Sequence, residues 1–244
     1  VRHTQRELSD CDIVFLYTLA QNLVDDLQAG RLPPASRLHD PVAEHYGLTS
    51  INMAADIARR LQSGELTWPD FAADAAHPTA RGHRLYTETI AAALTPAFAA
   101  PAAAAPPPAP LTSAPWDRCD ILPISPSTCF SGWVYQPLVN RGGWECFDGV
   151  LASQTPGSEA IFDFHGTMIG LYYLLGPETG DLLWAVDDDA LQPVRLFDDC
   201  APKFWRPSYR ILTRALAEGP HRLRLRISPE RDPRATGLWT KLAA

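Results

Sequence analysis

Phe71-Ala72-Ala73-Asp74-Ala75-Ala76-His77-Pro78-Thr79-Ala80-Arg81-Gly82-His83 places a carboxylate three residues before a histidine. Pro78 disfavours the helical region for the residue preceding it, so Asp74 and His77 are expected on a loop. Thr79 then reads as the N-cap of a helix whose apolar stripe is Leu85, Ile90, Ala93 and Leu94. The stretch is a turn that feeds a helix. An imidazole that takes a proton from a hydroxyl nucleophile needs a carboxylate to fix its tautomer and steady its charged form. On that ground Asp74 and His77 are candidate orienting acid and general base; the plain alternative is a solvated pair in a helix-entry turn. His83 reads as a packing or helix-surface residue. A metal site from Asp74, His77 and His83 lacks the spacing of paired histidines one turn apart on a helix.

Upstream, Asp12-Ile-Val-Phe-Leu-Tyr-Thr-Leu19 is an apolar run of strand length, as expected of a strand buried on both faces of a parallel sheet. Residues 21–29 are helix-compatible, 30–34 break, and 35–46 form a second helix closed by Gly47. Residues 50–54 are a short strand candidate, 55–63 a helix, and 79–94 the final helix. Alternation of strands and helices implies an α/β layered domain. Only two strands are visible, and two parallel strands do not make an independent sheet.

The pattern Phe71-x-x-Asp74-x-x-His77-Pro78-x-x-x-Gly82-His83-x-x-Tyr86 resembles the last conserved block of the SGNH, or GDSL-like, hydrolases. Asp12-Ile-Val-Phe-Leu-Tyr17, His45-Tyr-Gly-Leu-Thr-Ser-Ile-Asn52 and Gly64-Glu-Leu-Thr-Trp68 are similar to segments of bacterial esterases of that group. The resemblance covers residues 1–95 and implies a partial SGNH-type α/β/α (flavodoxin-like) domain. It makes His77 the general base and Asp74 its orienting partner, with no cofactor and no metal. In that family the nucleophilic serine lies in a Gly-Asp-Ser block, with a Gly and an Asn completing the oxyanion hole. Gly180-Asp181 is followed by Leu182, and no Gly-x-Asn-Asp occurs. The resemblance therefore implies no nucleophile in this chain, and either an N-terminally truncated copy or a degenerate relative is expected.

The totals exclude several classes of function. With 244 residues, 46% of them hydrophobic, the chain has room for one large or two modest cores. A formal net charge of −7 advertises neither nucleic acid nor an anionic membrane as a partner, and no apolar run reaches membrane-spanning length. The N-terminal segment carries Arg2, Arg6, Glu7 and Asp10 and has no signal-peptide core. Five cysteines (Cys11, Cys119, Cys129, Cys146, Cys200) show no Cys-x-x-Cys spacing, leaving disulfides and reduced thiols equally open.

Residues 96–118 form a Pro/Ala-rich tract, read as a semi-rigid spacer and domain boundary. Beyond it the period changes. His221-Arg-Leu-Arg-Leu-Arg-Ile227 puts three arginines on one face and three aliphatics on the other, as a half-buried strand requires. Residues 159–164, 168–175, 182–186, 194–197, 209–213 and 239–242 supply further strands between turn signals. Seven or eight short strands imply an antiparallel β-sandwich or jelly roll over 119–244. Phe164-His-Gly-Thr-Met-Ile-Gly-Leu-Tyr172, Gly176-Pro-Glu-Thr-Gly180, Val186-Asp-Asp-Asp189 and Tyr209-Arg-Ile-Leu212 resemble sandwich modules attached to bacterial SGNH esterases, carbohydrate esterases included. Trp133, Trp144, Trp184, Trp205 and Trp239, with Tyr135, Tyr172, Tyr173 and Tyr209, are either core or a sugar-stacking surface. Asp187-Asp-Asp189 reads as a solvated turn tip, with calcium as the alternative. Arg206 and Arg210 read as surface residues.

Together these readings give α/β plus all-β architecture and a serine esterase acting on small acyl (acetyl) esters, an acetylated glycan being a reasonable substrate. The alternative is a non-catalytic carbohydrate- or protein-binding accessory protein. The resemblance and the architecture favour a secreted or periplasmic location, and the oligomeric state is left open.

Overall fold

The computed structural model describes residues 1–8, 10–99, 106–113, 116, 118–122, 124, 129–138 and 147–243. Trp144 and Cys146 lie outside the described residues, as do the side chain of Cys129 and tract residues 100–105. The chain divides into two compact units, Val1–Cys119 and Asp120–Ala244.

The first unit mixes helices with a small sheet. In chain order it contains α1 (Arg2–Glu7), β1 (Val14–Tyr17), a 3-10 turn (Gln21–Leu23), α2 (Val24–Gln28), α3 (Pro34–His45), β2 (Thr49–Asn52), α4 (Met53–Gln62), α5 (Trp68–Phe71) and α6 (Ala80–Ala99). β1 and β2 pair in parallel, Val14 opposite Thr49 and Tyr17 opposite Asn52. On one face α3 meets β1: the Tyr17 hydroxyl donates to Asp40 Oδ1 at 2.6 Å, and the Phe15 and His39 rings pack edge-on. The core gathers Leu19, Ile51, Met53, Ala54, Ile57, Phe71 and Leu85. α4 buries one stripe, Met53, Ala54, Ile57 and Ala58, the first three of them in that core, and starts where Asn52 Oδ1 accepts from the Ala55 amide.

Two expectations need correction. The strand expected over 12–19 to be buried on both faces is shorter, and Leu16 is 46% exposed. Among the described residues β1 is hydrogen-bonded along one edge only, which leaves its side chains less covered than a central strand's. The last helix does not stop near Leu94 but runs through Pro96 to Ala99. Pro96 sits within a turn of the helix end, where the missing amide costs one bond, and the surrounding alanines favour helix.

The second unit is a sandwich of two five-stranded antiparallel sheets. Its strands are β3 (Cys129–Ser131), β4 (Val134–Pro137), β5 (Gly149–Ser153), β6 (Glu159–His165), β7 (Ile169–Leu175), β8 (Leu182–Val186), β9 (Gln192–Val194), β10 (Arg206–Thr213), β11 (Pro220–Ile227) and β12 (Thr240–Ala243). One sheet runs β10-β7-β12-β5-β4 and the other β3-β6-β11-β8-β9. β11 shows why the sequence folds this way. Leu223, Leu225 and Ile227 enter the core at 0–2% exposure. Arg222 and Arg226 turn outward, directly opposite Asp163 and Glu159 of β6, and form ion pairs with them. The expected strand at 194–197 lies earlier, at β9, while Leu196 and Phe197 are buried beyond its end. The β7-containing sheet is covered on both sides. Leu151 packs in the main core, and its neighbours Val150 and Ala152 join a second cluster with Phe147 and Leu174 on the outer face.

Candidate catalytic pair

The loop that carries Asp74 and His77 is built from its ends inward. Thr67 and Asp70 form a capping box that starts α5: the Thr67 hydroxyl donates to Asp70 Oδ2 at 2.6 Å, and the Thr67 amide donates to the same oxygen. The chain leaves α5 at Phe71, which is fully buried, and returns at Thr79. The Thr79 amide donates to the Phe71 carbonyl at 2.8 Å and its hydroxyl to the Asp70 carbonyl at 2.6 Å. Thr79 Oγ1 also accepts from the Gly82 amide, which makes it the N-cap expected for α6. Between these anchors Ala72 and Pro78 form an antiparallel bridge, and the Ala73 amide donates to the His77 carbonyl. The loop is thus closed at its neck by backbone bonds.

Two further contacts hold its tip. Trp68 Nε1 donates to the Asp74 carbonyl at 2.9 Å, and the Gln21 amide donates to the Ala75 carbonyl at 2.8 Å. Tyr86, the last residue of the motif, is buried, and its hydroxyl accepts from the Leu19 amide at 2.8 Å, joining α6 to the chain just beyond β1.

Asp74 Oδ1 accepts from the Ala76 and His77 amides, each at 2.8 Å, and His77 Nδ1 lies 2.8 Å from Oδ2. The two amides, Ala76 foremost, and then the imidazole pull the Asp74 carboxyl down to about 2, so it is ionised at neutral pH. An ionised carboxylate only accepts, so the proton between the two groups belongs to Nδ1. Nε2 of the neutral ring then carries a bare lone pair. It has no hydrogen-bond partner among the described residues, and the His77 side chain is 83% exposed. The arrangement is an oriented imidazole with its basic nitrogen open to solvent.

The remaining candidates fall out differently. His83 is exposed on α6, and among the described residues no group of three His, Cys, Asp or Glu side chains is placed to share a metal. The sandwich aromatics do not form one surface. Trp133 and Tyr173 are core residues, and Trp184 packs against that core. Tyr172, Trp205 and Trp239 pack instead against the outer cluster that contains Phe147, with Lys241 Nζ 3.9 Å from the Trp205 ring centre. Tyr135 is half-buried, and Tyr209 is 73% exposed. Asp187 is committed to His221, whose Nδ1 is 2.7 Å away, while Asp188 and Asp189 are exposed. Arg206 pairs with Asp198, and Arg210 donates to the Arg195 carbonyl. Trp68 ends the Gly64-Glu-Leu-Thr-Trp68 segment, but the sequence predicts no role for its indole. The Thr67-x-x-Asp70 cap beside it was a readable signal, but the indole contact depends on how the loop folds back.

No protein-family model matches the chain, and no curated relative matches it. Solved structures do. A two-domain esterase active on acetylated mannans aligns with 100% of this chain at a TM-score of 0.82 and 18% identity. The same kind of esterase crystallised with mannopentaose aligns with 99% at a TM-score of 0.79 and 17% identity. At such identity the likeness is one of fold: a helical α/β unit followed by an antiparallel sandwich. The chain spans 65% and 64% of the length of those two solved chains. Among the described residues no helix is long and apolar enough to cross a membrane.

Proposed function

We propose that residues 1–95 carry the acid–base part of an SGNH-type serine esterase, and that the whole protein removes acetyl groups from a carbohydrate. The observation that carries this reading is the His77 Nδ1 to Asp74 Oδ2 bond of 2.8 Å, which leaves Nε2 exposed. The fold shared with esterases active on acetylated mannans supports the substrate class.

In the proposed reaction a serine hydroxyl, supplied from outside residues 1–244, attacks the ester carbonyl carbon while His77 Nε2 takes its proton. Asp74 stays ionised and holds the resulting imidazolium. The tetrahedral adduct collapses as Nε2 returns the proton to the departing sugar alkoxide, leaving an acyl-serine. Water then repeats the sequence, Nε2 taking one of its protons and passing it to the serine oxygen as acetate leaves. No cofactor enters this scheme.

The test has two parts. The reading frame upstream of Val1 should contain a Gly-Asp-Ser block, and the protein bearing it should release acetate from acetylated manno-oligosaccharides. His77→Ala in that protein should remove all but a residual rate. Acetate release that survives His77→Ala would refute the assignment. For the 244-residue chain alone, His77→Ala should lower hydrolysis of an activated acetate ester by no more than the loss of one exposed imidazole accounts for.

One observation favours a second reading. Tyr209 is exposed directly opposite half-buried Tyr172 on the outer face of the β7 sheet, a place where a sugar ring could stack. Saturable glycan binding lost on Tyr209→Ala, with no upstream serine block, would make the protein a binding module.

A further inference from the structure

The Pro/Ala tract is the largest feature of the sequence that the catalytic reading does not use. Within it, Pro106-Pro-Pro-Ala-Pro-Leu111 makes three hydrogen bonds to the α/β unit. Arg2 Nη1, at the start of α1, donates to the Pro108 carbonyl at 3.2 Å. His45 Nε2, at the end of α3, lies 2.8 Å from the Ala109 carbonyl, and the Leu111 amide donates to the Tyr46 hydroxyl at 3.3 Å.

The chemistry of the segment and of the surface match. Four of these six residues are prolines, which lack an amide proton, so the backbone offers mainly carbonyl acceptors. Where the acceptors lie the surface presents donors, Arg2 and His45. Where the chain regains an amide, at Leu111, the surface presents the Tyr46 oxygen. A carbonyl facing His45 Nε2 requires the proton on that nitrogen. His45 and Tyr46 are also adjacent rings, 4.8 Å apart and edge to face, the kind of aromatic ledge on which proline-rich chains settle. Their position is set in advance by the helix end. The Leu48 amide bonds back to the Ala43 carbonyl and the Gly47 amide to that of Glu44, with Gly47 at φ +64°. This is a Schellman closure, which fixes the backbone that carries both rings.

From this geometry we infer that Arg2, His45 and Tyr46 form a docking surface for an extended proline-rich chain, occupied in cis by residues 106–111. The inference does not depend on the catalytic reading. Proline fixes the segment near its bound shape before it docks, so little chain entropy is lost on binding. It follows that residues 106–111 belong to the first unit and are not a free spacer.

Amide hydrogen exchange in the full chain tests this directly. The Leu111 amide should exchange about tenfold or more slowly than in an unstructured peptide of the same sequence. Tyr46→Phe should remove that protection. His45→Ala should also reduce it severalfold, although His45 does not touch the Leu111 amide, because the three bonds hold one segment. A Leu111 amide that exchanges at the unstructured rate in the unmodified chain overturns the inference. So does protection that rises with protein concentration, which would mean that the segment docks on a second copy. As an independent check, the tract of the full chain is replaced by Gly and Ser, and a synthetic Pro-Pro-Pro-Ala-Pro-Leu peptide is added. Saturable shifts confined to the Arg2, His45 and Tyr46 resonances are expected. No binding, with unmodified far-ultraviolet dichroism, would count against a recognition surface.

Discussion

Gly82 lies against the carbonyl of Phe71 so closely that a methyl group added at Gly82 would fall 2.2 Å from that oxygen and 2.9 Å from Pro78 Cβ. Phe71 and Pro78 stand on the two sides of the neck of the Asp74–His77 loop, so the first turn of α6 is seated in the neck itself. The obstructing atom is backbone oxygen already bonded to the Thr79 amide, and it has nowhere to move. Gly82→Ala should therefore destabilise the first unit by about 1–3 kcal/mol and displace the loop. Denaturant unfolding followed at Trp68 measures the first effect, and the His77 ring nitrogen shifts the second. An unchanged midpoint would show that the approach is not needed.

Asp74→Asn separates the two jobs of the carboxylate. The asparagine carbonyl can still accept from the Ala76 and His77 amides, so the loop should keep its shape. An amide cannot hold an imidazolium, and its NH₂ competes for Nδ1. The neutral His77 ring should shift toward the tautomer protonated at Nε2, visible in its nitrogen-15 spectrum. In a protein that supplies the nucleophile, the same change should lower kcat on the order of 10⁴-fold. Because the native carboxyl sits at about 2, below the ordinary ~3.9 of an unfolded aspartate, its support for the loop is present above about pH 4. That support is lost as pH falls toward 2, and Asp74→Asn should abolish this acid dependence of Ala76 and His77 amide protection.

How much of this was legible follows from what each element must satisfy. β11 was readable because one of its faces is core and the other is solvated, so Arg and Leu alternate. β5 was missed for the converse reason. All five of its residues are buried, with Leu151 in one cluster and Val150 and Ala152 in another, and a strand covered twice has no period to detect. β3 and β4 are only three and four residues long, and α1 has no buried residue to mark a stripe. The Asp74–His77 contact was readable because spacing and Pro78 place it within one turn of chain. Trp68 and Tyr86 act through tertiary contacts to Asp74 and Leu19, which nothing in their local sequence records.

The sandwich should respond very differently to two neighbouring truncations in β11. Leu225 is 1% exposed in the main core, and Leu225→Ala should cost about 2–5 kcal/mol. Arg226 beside it makes a half-exposed ion pair with Glu159, and Arg226→Ala should cost about 1 kcal/mol or less. Urea midpoints of the two variants compare them, and a similar loss in both would mean that the outer face of β11 is more than a solvated surface.

His221 gives the sandwich a pH dependence of the opposite sign to that of Asp74. Its Nδ1 lies 2.7 Å from Asp187 Oδ2 and its Nε2 2.8 Å from the Ala217 carbonyl, with the Phe164 ring tilted beside it. Both partners are acceptors, so both nitrogens must donate, and only the imidazolium can do that. The Ala217 carbonyl first and the Asp187 carboxylate second raise the His221 pKa above its ordinary value. A raised native pKa contributes stability that is complete below the unfolded value, about 6.5, and is lost as pH rises through the native one. Asp187→Asn is the clean probe. Asp187 has φ +53°, a left-handed conformation that asparagine adopts readily, and the new carbonyl can still accept from the Arg222 amide. The turn should survive while the charge is lost. The His221 ring-proton titration should then move to lower pH in the variant, and sandwich stability should fall less between pH 6 and 8. Identical titrations in the two proteins would mean that the carboxylate does not hold the ring in its charged form.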